Sequence, residues 1–242
     1  MAIHAKLVGV DTRRLLVVGD VHGCPREVED LLDACNYRKQ QDVVLFLGDL
    51  VAKGPDPVGA VRLARKLGAH TVRGNHEVNA IRTHRAWLER GKKLKSSLKY
   101  LQRFSEEDWS YLKHAPHTLR VPSHNVMLVH GGILPGVHLR QQKPKDLCRM
   151  RDVVIDEEGK LHARERPVHG SKPWASLWRG PEHVLFGHDA VRGLQQHPFA
   201  TGLDTGCCYG GKLTACIVPP LEEQNGPFQI QSVPARRVYC KP

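Results

Sequence analysis

Short apolar runs alternate along this chain with polar, glycine-bearing turns, and helix-like stretches follow several of those turns. Residues 15–18 are apolar without a break, and such a run reads as a strand covered on both faces. It ends in Gly19-Asp20-Val21-His22-Gly23. Pro25 suits a first helical turn, and Val28, Leu31, Leu32 and Cys35 recur at helical spacing. The theme repeats. Residues 43–47 predict a second strand ending in Gly48-Asp49, and Val58, Val61, Leu63, Ala64 and Leu67 predict a helix beyond the Gly54-Pro55-Asp56-Pro57 break. A short third strand at 70–73 leads to Gly74-Asn75-His76-Glu77 and a helix over about 76–90.

Further on, residues 126–129 predict a buried strand before His130-Gly131-Gly132, and 184–186 another before Gly187-His188-Asp189. Leu203-Asp204, 212–218 and 228–233 read as strands, and the proline-rich 134–182 as irregular structure with short helices. The segment 91–115 is basic (Lys92, Lys93, Lys95, Lys99), then acidic (Glu106, Glu107, Asp108), and reads as a helical insertion or cap. Strands alternating with helices predict an α/β core with parallel pairing, in which ligands gather at the carboxyl ends of strands. Without a linker or repeat, residues 1–242 read as a single domain.

Composition narrows the partners. The formal charge of +11, before any of the 15 histidines is counted, attracts polyanions such as nucleic acid, nucleotides or polyphosphate. A basic surface serving only solubility is the plain alternative, and Lys92, Lys93 and Lys95 read as a solvated face. No apolar run nears the roughly 20 residues that span a bilayer, and no secretory signal is legible. Seven cysteines, with no Cys-x-x-Cys and an adjacent Cys207-Cys208 pair, fit free thiols in the cytosol or nucleus.

The chemistry lies in the turns. Asp20, His22, Asp49, Asn75, His130 and His188 are carboxylate, imidazole and amide ligands of the kind that suit Mn, Fe or Zn. Alone, an Asp-x-His is more often a turn or cap, Asn75 a helix N-cap, and either later histidine a hydrogen-bonded core residue. Together, each behind an apolar strand, they predict a site for two divalent ions. Such a pair can polarise a phosphoryl group and acidify water. His76, beside Asn75, is then a general acid for the leaving oxygen.

These residues resemble the metallophosphoesterases of the phosphoprotein-phosphatase type, whose motifs run GDxHG, GDxVDRG, GNHE, HGG and GH. The chain reads GDVHG (19–23), GDLVAKG (48–54), RGNHE (73–77), HGGI (130–133) and GHD (187–189). The resemblance implies a calcineurin-like β-sandwich flanked by helices, in place of the open sheet that the pattern alone suggests. It also implies Asp20, His22 and Asp49 on one metal, Asp49 bridging, and Asn75, His130 and His188 completing the second. The expected cofactor is two divalent ions, with manganese favoured.

One motif is broken. Ala52 and Lys53 stand where the family has Asp and Arg, which there orient the catalytic histidine and grip the phosphate. Lys53 supplies charge without a bidentate fork. A serine alkoxide needs a well-poised acid, whereas a phosphate leaving group, with a pKa of about 6, needs it less. GDLVAKGPDP and LDTGCCYGGKLTA (203–215) are similar to ApaH-like phosphatases, relatives of symmetrical diadenosine tetraphosphatases. The implied substrate is a dinucleoside polyphosphate. Polyphosphate or a nucleotide cap stands second, a phosphoprotein third, and a catalytically silent nucleic-acid binder is the alternative of another class. Tyr209 matches a tyrosine near the phosphate, and Arg149 and Arg151 are candidates to replace the lost fork. The chain is expected to be a monomer that does not span a membrane.

Overall fold

The computed structural model describes residues 3–91 and 93–241; Lys92, expected on a basic face, lies outside them. A five-stranded sheet runs in the order β14 (Gln229–Pro234), β13 (Lys212–Val218), β2 (Arg14–Val18), β3 (Asp42–Phe46), β4 (His70–Thr71). The pairs β2–β3 and β3–β4 are parallel, while β13 is antiparallel to both its neighbours. A six-stranded sheet runs β1 (His4–Lys6), β5 (Thr118–Val121), β6 (Val126–Val129), β10 (His183–Phe186), β12 (Ala200–Gly202), β11 (Gln195–His197).

Alternation along the strands explains the layering. In β2, Leu15 and Val17 join Leu45 and Cys216 against Leu128, Val126 and Leu185 of the other sheet. Leu16 and Val18 point the opposite way, into a core with Val28 and Leu31 of α1 (Pro25–Ala34) and Val58 and Val61 of α2 (Pro57–Lys66). The six-stranded sheet repeats this: Met127, Val129 and Phe186 face outward onto Leu147, Met150 and Trp174. Each sheet thus has helices on one face only, and its other apolar face is covered by the second sheet. That is why the molecule is a sandwich and not the open sheet that the pattern suggests. Each buried Leu or Val contributes about 1.5–3 kcal/mol.

Three local expectations change. The strand expected at 203–204 ends at Gly202. Residues 134–182 carry, besides α5 (Pro144–Arg149) and α6 (Trp174–Leu177), a three-stranded sheet of β8 (Leu161–Arg164), β7 (Asp152–Ile155) and β9 (Lys172–Pro173). β7 carries a short apolar run, Val153-Val154-Ile155, but it sits among charged residues and prolines, and β8 has no such run. The segment 91–115 holds a 3-10 turn (Ser96–Arg103) and α4 (Glu106–His114), whose Leu101, Trp109 and Leu112 enter the helical-side core. Ser105 caps α4 in a reciprocal pair with Asp108, which also takes Arg62 and Arg65 of α2.

Candidate metal centre

Five turns converge where the two sheets meet. Asp20, Asp49 and Asn75 follow β2, β3 and β4 of one sheet, while His130 and His188 follow β6 and β10 of the other. The helix α3 (Asn75–Arg90) begins on the candidate ligand Asn75 itself. Three candidate ligands sit in the left-handed region that non-glycine residues avoid, His22 at φ 46°, Asp49 at 50° and His188 at 70°. Such backbone costs about 1–3 kcal/mol per residue and persists where its surroundings hold it. The glycines before the ligands admit close approach: a Cβ on Gly187 would lie 2.1 Å from Oδ1 of Asp20, and one on Gly74 the same distance from Oδ1 of Asp49.

Asp49 is central. Its Oδ2 lies 3.6 Å from Nε2 of His22, 3.4 Å from Nε2 of His130 and 3.9 Å from Nε2 of His76. Oδ2 of Asp20 is 3.8 Å from Nε2 of His22, and Oδ1 of Asn75 is 3.1 Å from Nε2 of His130. These separations compare with the edges of a ligand shell whose bonds are about 2.1 Å. Two ring nitrogens are anchored by carbonyls: Nδ1 of His22 donates to Val51 and Nδ1 of His130 to Leu47, leaving each Nε2 aimed at the cluster. Oδ2 of Asp20 and Nε2 of His188 are buried with no hydrogen-bond partner among the described residues. Orphaned ligand atoms at this density fit divalent cations. Asp20, His22 and Asp49 would hold one, and Asp49, Asn75, His130 and His188 the other.

The electrostatics agree. Burial and the neighbouring carboxylate of Asp204 push Asp20 well above the usual carboxylate range. Burial holds His22 down to about 3 and His188 to about 2, so both are neutral imidazoles ready to ligate. Burial opposes a charge on His130, but Asp49 and Asp20 outweigh it and raise its pKa to about 10. A proton on His130 and a metal cation are therefore competing partners of Asp49.

The cleft over this cluster has a volume of about 550 Å³. It brings together Asp20, His22, Asp49, Asn75, His76 and His188 with Lys53, Arg151 and Tyr209. Lys53 is exposed as a residue, yet its ammonium turns inward, 2.9 Å from Nε2 of His22 and 5.0 Å above the Tyr209 ring. Arg151 donates to the carbonyls of His188 and Glu165 and pairs with Asp189 at 3.3 Å. Arg149 is not brought into this cleft and lines a neighbouring groove. His76 sits edge-on to His22, with ring centroids 4.9 Å apart, and its amide donates to Asp49.

Three residues were given no role by the sequence. Glu77, fully buried, accepts from the amides of Asp49, Val51 and Gly74, and so ties the second turn to the third. Asp204 lines the cleft, with burial lifting its pKa to about 6. It follows the buried strand β12 and Leu203, and its place behind a strand, as with the candidate ligands, is a signal that could have found it. Asp189 holds Arg151 and is itself held by Arg192, 2.6 Å away.

Residues 13–203 match the calcineurin-like phosphoesterase family. A symmetrical bis(5'-nucleosyl)-tetraphosphatase of Marinomonas sp. is 28% identical over 268 residues, covering 88% of this chain and 97% of its own. Serine/threonine-protein phosphatase 1 of Salmonella typhimurium is 28% identical over 219 residues, covering 88% and 95%. A crystal structure assigned to a diadenosine tetraphosphatase matches with a TM-score of 0.85 and 40% identity, covering 97% of this chain and 99% of that one.

Proposed function

The chain belongs to the calcineurin-like phosphoesterases, metal-dependent hydrolases, and on that footing we propose that it hydrolyses phosphoanhydrides, with dinucleoside polyphosphates such as diadenosine tetraphosphate as its preferred substrates. The observation that carries this reading is the wall of the cleft. Lys53 and Arg151 offer positive charge beside a complete ligand set, while Ala52 gives the His76 ring no acceptor. Bound metal ions, manganese in this reading, supply Lewis acidity toward the phosphoryl oxygens and acidify water. The chain's own part is to place them and the substrate. Asp49 would be the ligand shared by the two ions, Lys53 and Arg151 draw in the phosphates, and Tyr209 flanks Lys53. His76 gives a proton to the departing oxygen, and a phosphate departs with little such help.

Ligands drawn from both sheets support a chain that works as one domain, and nothing in this chemistry calls for a second copy. Seven free cysteines fit a reducing compartment such as the cytosol. No helix among the described residues is long and apolar enough to cross a membrane. The match to a serine/threonine phosphatase gives the second reading, a phosphoprotein substrate.

One panel separates the two. Diadenosine tetraphosphate, long-chain polyphosphate, capped RNA and a phosphoseryl peptide are compared with Mn, Mg, Co or Zn, and the products identified. The first is expected to show the highest kcat/KM, greatest with Mn. Efficient turnover of the peptide with little of the anhydrides would sink the proposal.

A further inference from the structure

The geometry points to a second anion-binding groove on the leaving-group side of the metal centre, built from Arg82, Lys145 and Arg149, which takes the phosphate-rich part of the substrate beyond the scissile bond. This deepens the phosphoanhydride reading and rests on it. The groove has a volume of about 410 Å³, with Arg82 of α3 on one wall and Lys145, Cys148 and Arg149 of α5 on the other.

Both walls are fixed to the metal-binding turns. The first residues of α3 are Asn75 and His76, so Arg82 lies under two turns along the helix that presents the acid. On the other wall, the amide of Gly131, next to His130, donates to Leu147 of α5 at 2.7 Å. A Cβ on Gly131 would lie only 2.5 Å from the Arg149 nitrogen, so α5 leans directly on that ligand turn. The Cys148 thiol donates to the carbonyl of Arg73, just before the third motif.

The groove is cationic on balance. Arg82, Lys145 and Arg149 face one carboxylate, Glu165, at 2.8 Å from Lys145 and 3.9 Å from Arg149. Arg82 donates to Asn79 and pairs with no carboxylate among the described residues. The other titratable groups are uncharged at neutral pH: burial, then Arg73, holds His117 down to about 4, and burial pushes the Cys148 thiol up to about 12.

A general acid faces the leaving oxygen, so whatever extends past His76 is the leaving group. A serine alkoxide or an aryl alcohol brings no charge to this groove. A nucleoside polyphosphate brings several, and guanidinium groups match them in bidentate fashion. The groove therefore selects substrates carrying phosphates on both sides of the bond that breaks.

The test is Arg82→Glu/Lys145→Glu in the metal-loaded full chain, with Arg82→Gln/Lys145→Gln as the milder pair should charge reversal impair folding. The kcat/KM for diadenosine tetraphosphate, divided by that for p-nitrophenyl phosphate, is expected to fall about tenfold through KM, the range for displaced rim charges. Titration calorimetry with inorganic tripolyphosphate is expected to show affinity weakened by a similar factor and less dependent on salt. An unchanged ratio together with unchanged tripolyphosphate affinity overturns the groove. If the unaltered enzyme hydrolyses p-nitrophenyl phosphate but not diadenosine tetraphosphate, the phosphoanhydride reading falls. The tripolyphosphate titration then still decides the groove, because equal affinity in both proteins rejects it.

Discussion

At the scale of single residues, Ala52 and Lys53 set this chain apart from the family pattern, and both hold left-handed backbone, at φ 70° and 64°. Aspartate tolerates that region better than most side chains, so Ala52→Asp/Lys53→Arg can be built without a new turn. Restoring an oriented acid and a forked cation should raise the ratio of phosphopeptide to diadenosine tetraphosphate turnover by about tenfold or more, since acid catalysis is worth about 10²–10⁴. A substrate panel on the double variant checks this, and a fixed ratio would separate substrate choice from position 52. The residues that converge at the candidate site could be singled out because the turns that carry them follow predicted strands, where chemistry needs rigidity. Arg149 and Arg151 show the limit. They are two residues apart at the end of α5, yet one lines the groove and the other the cleft. Only tertiary packing decides such a direction.

At the scale of elements, the turns matter more than the strands they end. Gly187 and Gly193 are close in sequence but differ in surroundings. A Cβ on Gly187 would press on the Asp20 carboxylate, while Gly193, at φ 65°, has nothing within 4 Å. Gly187→Ala should therefore lower the metal content per chain measured on the purified protein. Gly193→Ala should keep the metal and cost about 1 kcal/mol of stability, the price of a left-handed alanine. Full metal in both variants would mean that Asp20 is not held as described. The strands were readable where the apolar run is unbroken, as in β2, β3, β6 and β10. By contrast, β12 (Ala200-Thr201-Gly202) and β5 (Thr118-Leu119-Arg120-Val121) are largely buried without such a run and escaped. The small sheet of β7, β8 and β9 was not readable either, because its short strands are half solvated, and neither was β1, three residues of intermediate and exposed positions.

At the scale of the whole molecule, acid should loosen the fold by a route that the metal centre does not supply. Burial holds His183 down to about 4, and burial with Arg73 does the same for His117. In the unfolded chain both titrate near 6.5. Between those values the unfolded state binds more protons, so stability is full above pH 6.5, falls as the pH drops toward 4, and levels off below. Each histidine contributes at most about 1.4 kcal/mol per pH unit, and solvent screening reduces that. Thermal unfolding of His183→Gln across this window should show a shallower slope than the parent; an identical slope would remove His183 from the account. The architecture was legible only in part, since apolar runs name strands but not which faces they share. The meeting of two sheets at the ligand turns carries a last consequence. Asp20, Asp49 and Asn75 belong to one sheet, and His130 and His188 to the other. Sliding one sheet over the other by a single residue, about 3.3 Å, would carry the two halves of the centre out of register. Turnover therefore works as a vernier on the alignment of the sandwich: a chain with both sheets formed but misaligned would keep its secondary structure and lose its activity.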